Sequence, residues 1–438
     1  MHATPRVPIR AASLLTLWFA FALALLLAGC EQHNPFKEAR PAPDDATIAR
    51  GEYLAKAGDC AACHDAANHA PYAGGQPVNS PFGPIYASNI TPDPVYGIGR
   101  YTLQQFADAL RRGVSPRQGH LYPAMPYPSF SSLNDDDVAA LYQYFKYGVK
   151  PVANATPKTH LPFPFNQRWV LGLWRMAFSR HERFTPQSDR PPLWNRGAYL
   201  VQGLGHCGAC HTPRGPGYNE LGYDENSPLY LTGGINDHWF APNLSGDPAS
   251  GLGRWSAADI AAFLRHGHNA RSFVFGAMAP VVGDSTQYMS DSDLDAIAIY
   301  LKSLPPHLPS GKYTDSAGAR AATARALDAG QPERPGAGVY LAFCARCHGA
   351  DGSGKDGKAS ALAGSALALS RDPTSALRIV IEGSESQGDG PQKMPGFRSQ
   401  LTDAEIAQVV NFVRGAWGNG ATPIATGEVT RLRDAIHR

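Results

Sequence analysis

Six of the seven cysteines in this chain repeat one five-residue pattern: Cys60-Ala-Ala-Cys63-His64, Cys207-Gly-Ala-Cys210-His211 and Cys344-Ala-Arg-Cys347-His348. Two thiols one helical turn apart, followed at once by an imidazole, can form two thioethers to the vinyl groups of a haem while the His ligates its iron. Zinc is the competing use of such pairs, but it takes four ligands, commonly from two pairs. Three pairs cannot be matched off in that way. A redox dithiol has no need of a His after the second Cys. The pattern predicts three covalently bound haem c groups, attached through Cys60, Cys63, Cys207, Cys210, Cys344 and Cys347, with His64, His211 and His348 on the iron.

The seventh cysteine ends an N-terminal segment of another kind. Arg6 and Arg10 precede an apolar run over 11–28, and Leu27-Ala28-Gly29-Cys30 closes it. A charged start, an apolar stretch and small residues at the end describe an export signal over residues 1–30. The ending resembles a bacterial lipobox, in which Cys30 is lipidated. An uncleaved anchor, whose apolar length just spans a bilayer, and a plain cleaved signal are the other two readings. All three place residues 31–438 in the cell envelope, on the periplasmic side. With 39 Lys and Arg against 37 Asp and Glu, the charge balance gives no reason to expect nucleic acid.

His ligation leaves a sixth iron position, which Met commonly fills in electron-carrying cytochromes. Internal repeats choose the methionines. Gly51-x-Tyr53-Leu54, Gly197-x-Tyr199-Leu200 and Gly338-x-Tyr340-Leu341 each lie just ahead of an attachment motif. SNITPD (88–93) and PNLSGD (242–247) lead into matching amphipathic segments, 97–113 and 251–267. The third copy, 372–383, is shorter. Each unit closes with a capped helix that starts at Asn134, Ser290 or Thr402, with an acid three residues on and an apolar staple just before. Met289 holds the staple slot that Leu133 and Leu401 hold elsewhere. Met125, Met278 and Met394 lie upstream of the staples, each with a Pro within two residues, and are the expected axial ligands.

Other residues are assigned less sharply. Asn89, Arg100, Asn243 and Arg254 recur in register and are candidates for haem contacts around the ligands, since Arg pairs well with propionate-like carboxylates; the competing reading makes them turn and surface residues. His120, His266 and His268 are close enough in sequence to compete with Met for iron, but a Met in register in every unit argues against them. Met176 has no counterpart. Its segment, 166–178, reads as a helix with Arg168, Gly172, Arg175 and Ser179 on one face and apolar residues around the rest. It suits packing on a neighbouring unit, a partner subunit or a membrane surface.

The expected fold is all-α, three tandem class I cytochrome c domains over 45–150, 193–306 and 336–418. A Pro-rich linker with an amphipathic helix spans 151–192, and a polar tail spans 419–438. No nucleotide-binding Gly motif, paired carboxylate setting or further metal site is evident, so no substrate chemistry is expected of the chain itself. A peroxidase would need an iron open to peroxide, and three aligned methionines each close one.

The stretches GEYLAKAGDCAACH, SNITPD with GIGRYT, HLYPAMPYPSF with LNDDDV, and FPFNQRW resemble the triheme cytochrome c subunit of bacterial membrane-bound dehydrogenases, over about residues 45–418. The first unit departs in having Tyr101 where many relatives have Trp, as Trp255 does in the second. The resemblance implies a periplasmic dehydrogenase partner, a quinoprotein, flavoprotein or molybdoprotein. It further implies electron delivery to ubiquinone or to a downstream cytochrome or oxidase, at a membrane. A free-standing multihaem shuttle, or an oxidase-linked cytochrome, is the alternative.

Overall fold

The computed structural model describes residues 44–179, 182–330, 334–355, 359–384 and 393–436; the expected signal segment and Cys30 lie outside them. Residues 43–438 form one compact unit. It is mostly helical, as expected, but among the described residues four two-stranded antiparallel pairs interrupt the helices. These are hairpin-sized, such as Gly234–Asn236 with Trp239–Ala241. They shape the loops around the attachment motifs.

A pair of helices brackets each motif: α1 (Asp45–Ala57) and α2 (Asp135–Gln143), then α3 (Pro192–Tyr199) and α4 (Asp291–Ser303), then α5 (Ala337–Phe343) and α6 (Asp403–Gly415). The closing helices start where the sequence says. The side chains of Asn134, Ser290 and Thr402 accept from the backbone N–H of Asp137, Asp293 and Glu405, which satisfies one of the orphan donors of each first turn. Leu133, Met289 and Leu401 are all buried just ahead of these caps. Met289 is a staple.

The two helices of each pair cross in near backbone contact. A Cβ on Gly51 would lie 2.2 Å from the Ala140 carbonyl oxygen, on Gly197 2.0 Å from that of Ala296, and on Gly336 2.1 Å from that of Gln408. Those carbonyls all stand six residues past their caps, so the three crossings are equivalent. The repeat read from sequence aligns Gly338 with Gly51 and Gly197, yet nothing lies within 4 Å of a Cβ there. The third unit is therefore in register two residues earlier. Tyr340 misled the match: its ring packs inward on Phe412 and Trp417, and its hydroxyl donates to the Gly349 carbonyl 2.6 Å away.

Tyr53 and Tyr199 do something else. The Tyr53 hydroxyl donates to Asp293 of the second unit at 2.6 Å, and the Tyr199 hydroxyl donates to Asp137 of the first, also at 2.6 Å. Arg50 and Arg196 hold the same two carboxylates from within their own units. The exchange is reciprocal, so units one and two are joined about a pseudo-twofold axis. Burial opposes the charge of Asp293, but hydrogen bonds from Arg196 and Tyr53 outweigh it and hold the carboxyl below its ordinary value.

The third unit attaches differently. Ser375 donates to the Phe240 carbonyl and accepts from the Phe240 N–H, at 2.9 and 2.8 Å, while the Arg378 guanidinium lies 4.3 Å from the Trp239 ring centre. Its core is also larger than the expected 336–418: Leu327, Ile424, Val429 and Leu432 join Tyr340, Phe412 and Trp417 in one cluster. The expected polar tail is in large part a docked helix, α7 (Thr426–Ala435), with Val429 and Leu432 as its buried stripe. Asp403 ties it down through Thr430 and Arg433.

The linker helix, Arg168–Phe178, forms as expected. Trp174 donates from Nε1 to the Gly217 carbonyl of the second unit at 2.6 Å, and its ring meets Tyr127 of the first. The helix therefore packs on both units with one face. Trp169, Leu173 and Met176 line the other, and Met176 is 75 % exposed.

Candidate haem-attachment sites

Each attachment motif forms one short helical turn: Cys60–His64, Gly208–His211 capped by Cys207, and Ala345–His348 capped by Cys344. In every one the proximal His donates from Nδ1 to a backbone carbonyl: His64 to Ser88 at 2.6 Å, His211 to Pro242 at 2.8 Å and His348 to Ser360 at 2.9 Å. This hydrogen bond fixes the ring and its tautomer and leaves Nε2 free to ligate a metal. Burial holds all three imidazoles below their ordinary value, with the carbonyl opposing, so each is a neutral donor. The arrangement fits a haem iron.

The thiols fit thioether formation better than redox or metal-thiolate chemistry. Burial, the largest cause in each case, pushes Cys60, Cys207 and Cys344 up to about 12 and Cys63 to about 11. Redox-active and metal-binding cysteines need the opposite shift. The described cysteines are all free of disulfides. Beside the second motif, burial raises the Glu220 carboxyl to about 7, with Arg214 offsetting part of it. Gly208 makes room for that carboxylate, since a Cβ there would lie 2.6 Å from Oε2.

The recurrent Asn residues brace the loops on which the motif histidines are hydrogen-bonded. Asn89 follows Ser88 and Asn243 follows Pro242, the two residues whose carbonyls accept from His. Asn89 donates to the Val152 and Asn154 carbonyls and accepts from the Thr91 N–H; Asn243 donates to the His307 carbonyl and accepts from the Ser245 N–H. They lock the loop that orients each imidazole. The third unit, which lacks the Asn, still presents Ser360. Arg100 is exposed. Arg254 donates to Pro248 and to Gly364 of the third unit and covers the Tyr313 ring. It joins two units.

Met125 sits in a turn, its N–H donating to the Tyr122 carbonyl. Met278 opens the helix Met278–Asp284, and Met394 bridges Ser384 on the same apolar cluster as Cys344. The first two attachment sites are neighbours. The helix that Met278 opens lies against Cys60–His64, Ser285 donates to the Ala57 carbonyl, and Cys63 feels the charge of Cys210. Sequence reasoning missed this closeness, because it arises from the Tyr–Asp exchange between units.

Two family models match the chain: cytochrome c over residues 195–305, and cytochrome c oxidase, cbb3-type, subunit III over 331–413. Neither reaches the segment before residue 195. The chain is 46% identical over 430 residues to the cytochrome c subunit of a quinone alcohol dehydrogenase from Gluconacetobacter polyoxogenes, covering 96% of this chain and 90% of that one. It is 45% identical over 405 residues to the gluconate 2-dehydrogenase cytochrome c subunit of Pantoea cypripedii, covering 89% and 90%. To the fructose dehydrogenase cytochrome subunit of Gluconobacter japonicus it is 38% identical over 434 residues, covering 94% and 88%. With His, thiol and loop arranged for haem c and likeness along nearly its whole length, the chain belongs to the family of cytochrome c subunits of alcohol, gluconate and fructose dehydrogenases.

Proposed function

We propose that the chain is a three-haem electron relay, serving a dehydrogenase catalytic subunit in the periplasm and passing electrons to ubiquinone or a downstream carrier. The observation that carries the count is the hydrogen bond from proximal His to backbone carbonyl, present in all three units, including the one that neither family model reaches. Bound haem supplies an iron that takes up and releases one electron. The chain's residues do the rest. Six cysteines fix the groups covalently, three imidazoles hold one side of the irons, and Met125, Met278 and Met394 close the other against water and peroxide. The reciprocal Tyr–Asp exchange holds the first two sites at a constant separation, which suits transfer between them. The names of the relatives support a dehydrogenase partner.

The test is a mass measurement. The purified chain is expected to carry an excess of three covalent haems and to show c-type absorption on reduction; two haems or fewer overturns the reading. Co-purification from native membranes with a catalytic subunit is the matching test of the partner, and a chain that purifies alone would be the free shuttle.

The proposed anchor is a lipid on Cys30. No helix among the described residues is long and apolar enough to cross a membrane. Cys30→Ser is expected to release the protein into the soluble periplasmic fraction. A variant still bound to membranes would show that lipidation is not the anchor.

A further inference from the structure

The large apolar side chains left exposed in this molecule are not spread evenly. Among the described residues sixteen stand at the surface, and six of them, Phe163, Phe165, Trp169, Leu173, Met176 and Phe178, fall between 163 and 178. The linker helix, Arg168–Phe178, buries none of its residues fully. Its basic face is already engaged. Arg168 donates to the His120 carbonyl at 2.9 Å, and a Cβ on Gly172 would lie 2.9 Å from the His120 Nε2. Trp169, Leu173 and Met176 stand at i, i+4 and i+7 on the other face, and Phe163, 79 % exposed, precedes them. Side chains of this size gathered in one patch mark a surface that something covers.

Charge and reach name the occupant. Between Asp137 and Glu182 the chain carries six Lys or Arg and no Asp or Glu, although acids and bases are nearly equal overall. Lys150 and Lys158 are exposed in that run. A helix with Trp, Leu and Met outward in a basic, acid-free setting fits the boundary between headgroups and acyl chains of an anionic leaflet. The N-terminus points the same way. A lipid on Cys30 leaves residues 31–43 before the first described residue, Asp44, a tether that reaches at most about 45 Å. It keeps the folded body near the bilayer, so one surface must face the lipid. We propose that the linker helix is that surface, lying in the membrane interface with Trp169, Leu173 and Met176 turned into an anionic lipid layer. A contact of this size is reversible on its own, so the lipid holds the protein and the helix orients it. This rests on the reading that the chain works at a membrane through Cys30.

The test uses the full haem-loaded chain, with whatever partner accompanies it from native membranes, reconstituted on phosphatidylglycerol vesicles. Haem occupies six cysteines and lipid the seventh, so Met176→Cys introduces a single reactive thiol for a nitroxide. Its collisions, read by EPR, separate three states. In the interface the label should meet dissolved oxygen at least about fivefold more often than a water-soluble nickel chelate, since such a face sits about 5–10 Å deep. The preference should shrink on phosphatidylcholine alone, whose neutral surface does not attract the basic run. Frequent collisions with the chelate place the label in water and overturn the proposal. Infrequent collisions with both reagents place it under protein, make the face a docking site for the catalytic subunit, and overturn the proposal as well. If Met176→Cys does not accumulate, Leu173→Cys, 56 % exposed on the same face, is read in the same way. The mass of the same sample reports the lipid on Cys30 separately. A chain without it overturns the anchor proposed above, while the nitroxide still decides where the helix lies.

Discussion

Gly197→Val is expected to cost more than about 3 kcal/mol and to lower haem incorporation at the second site. Even one methyl group at this position would overlap the Ala296 carbonyl oxygen, the distance being 2.0 Å. Overpacking a core usually costs about 1–3 kcal/mol because side chains can shift. Here the obstacle is the backbone of α4, so the helices must separate. Separation would pull Arg196 and Asp293 apart and weaken the Tyr53 contact to the first unit, leaving a buried carboxylate underpaired. Denaturant unfolding followed by Soret absorbance reads both effects.

The third unit supplies the control. Gly338→Ala should be neutral or stabilise by up to about 1 kcal/mol, since Gly338 lies inside α5 with open space around it and Ala is the better helix former. Gly336→Ala should be strongly destabilising: its φ is +86° and a Cβ there meets the Gln408 carbonyl. The reverse order of the two would show that the crossings are not equivalent.

The features legible in sequence are those set within a few residues. Caps at Asn134, Ser290 and Thr402 and the staple role of Met289 need only local hydrogen bonds and one apolar neighbour, so their spacing reveals them. The attachment turns are legible for the same reason. Gly338 shows how a local match fails: Gly-x-Tyr recurs, but only the partner helix decides which Gly must be bare. The inter-unit contacts of Arg254 were equally illegible, because Gly364 and Tyr313 approach it from another unit. The C-terminal helix was hidden by its charge, with only Val429 and Leu432 buried in a polar run. The basic face of the linker helix was visible as a stripe, Arg168, Gly172 and Arg175, but its meaning depends on what it covers. Contacts between units have no period to read.

Met278→Ala is expected to remove the sulfur–iron charge-transfer band of one haem and to lower that haem's midpoint, since Met ligation raises the potential and water or a weaker ligand would replace it. Met289, eleven residues on, offers an internal comparison. It is 4 % exposed, just before the Ser290 cap, in the slot that Leu133 and Leu401 fill in the other units. Met289→Leu keeps the volume and the apolar contact, so it should cost less than about 1.5 kcal/mol and leave every charge-transfer band in place. Met278 opens the helix that lies against the first attachment turn, so its loss could also disturb the first haem through packing. Met278→Leu separates the two effects. It preserves bulk but not sulfur, so loss of a single band with the other two midpoints steady identifies ligation. A spectrum unchanged in Met278→Leu but altered in Met289→Leu would show that the second iron takes its sulfur from the staple and that the repeat assigns the wrong methionine.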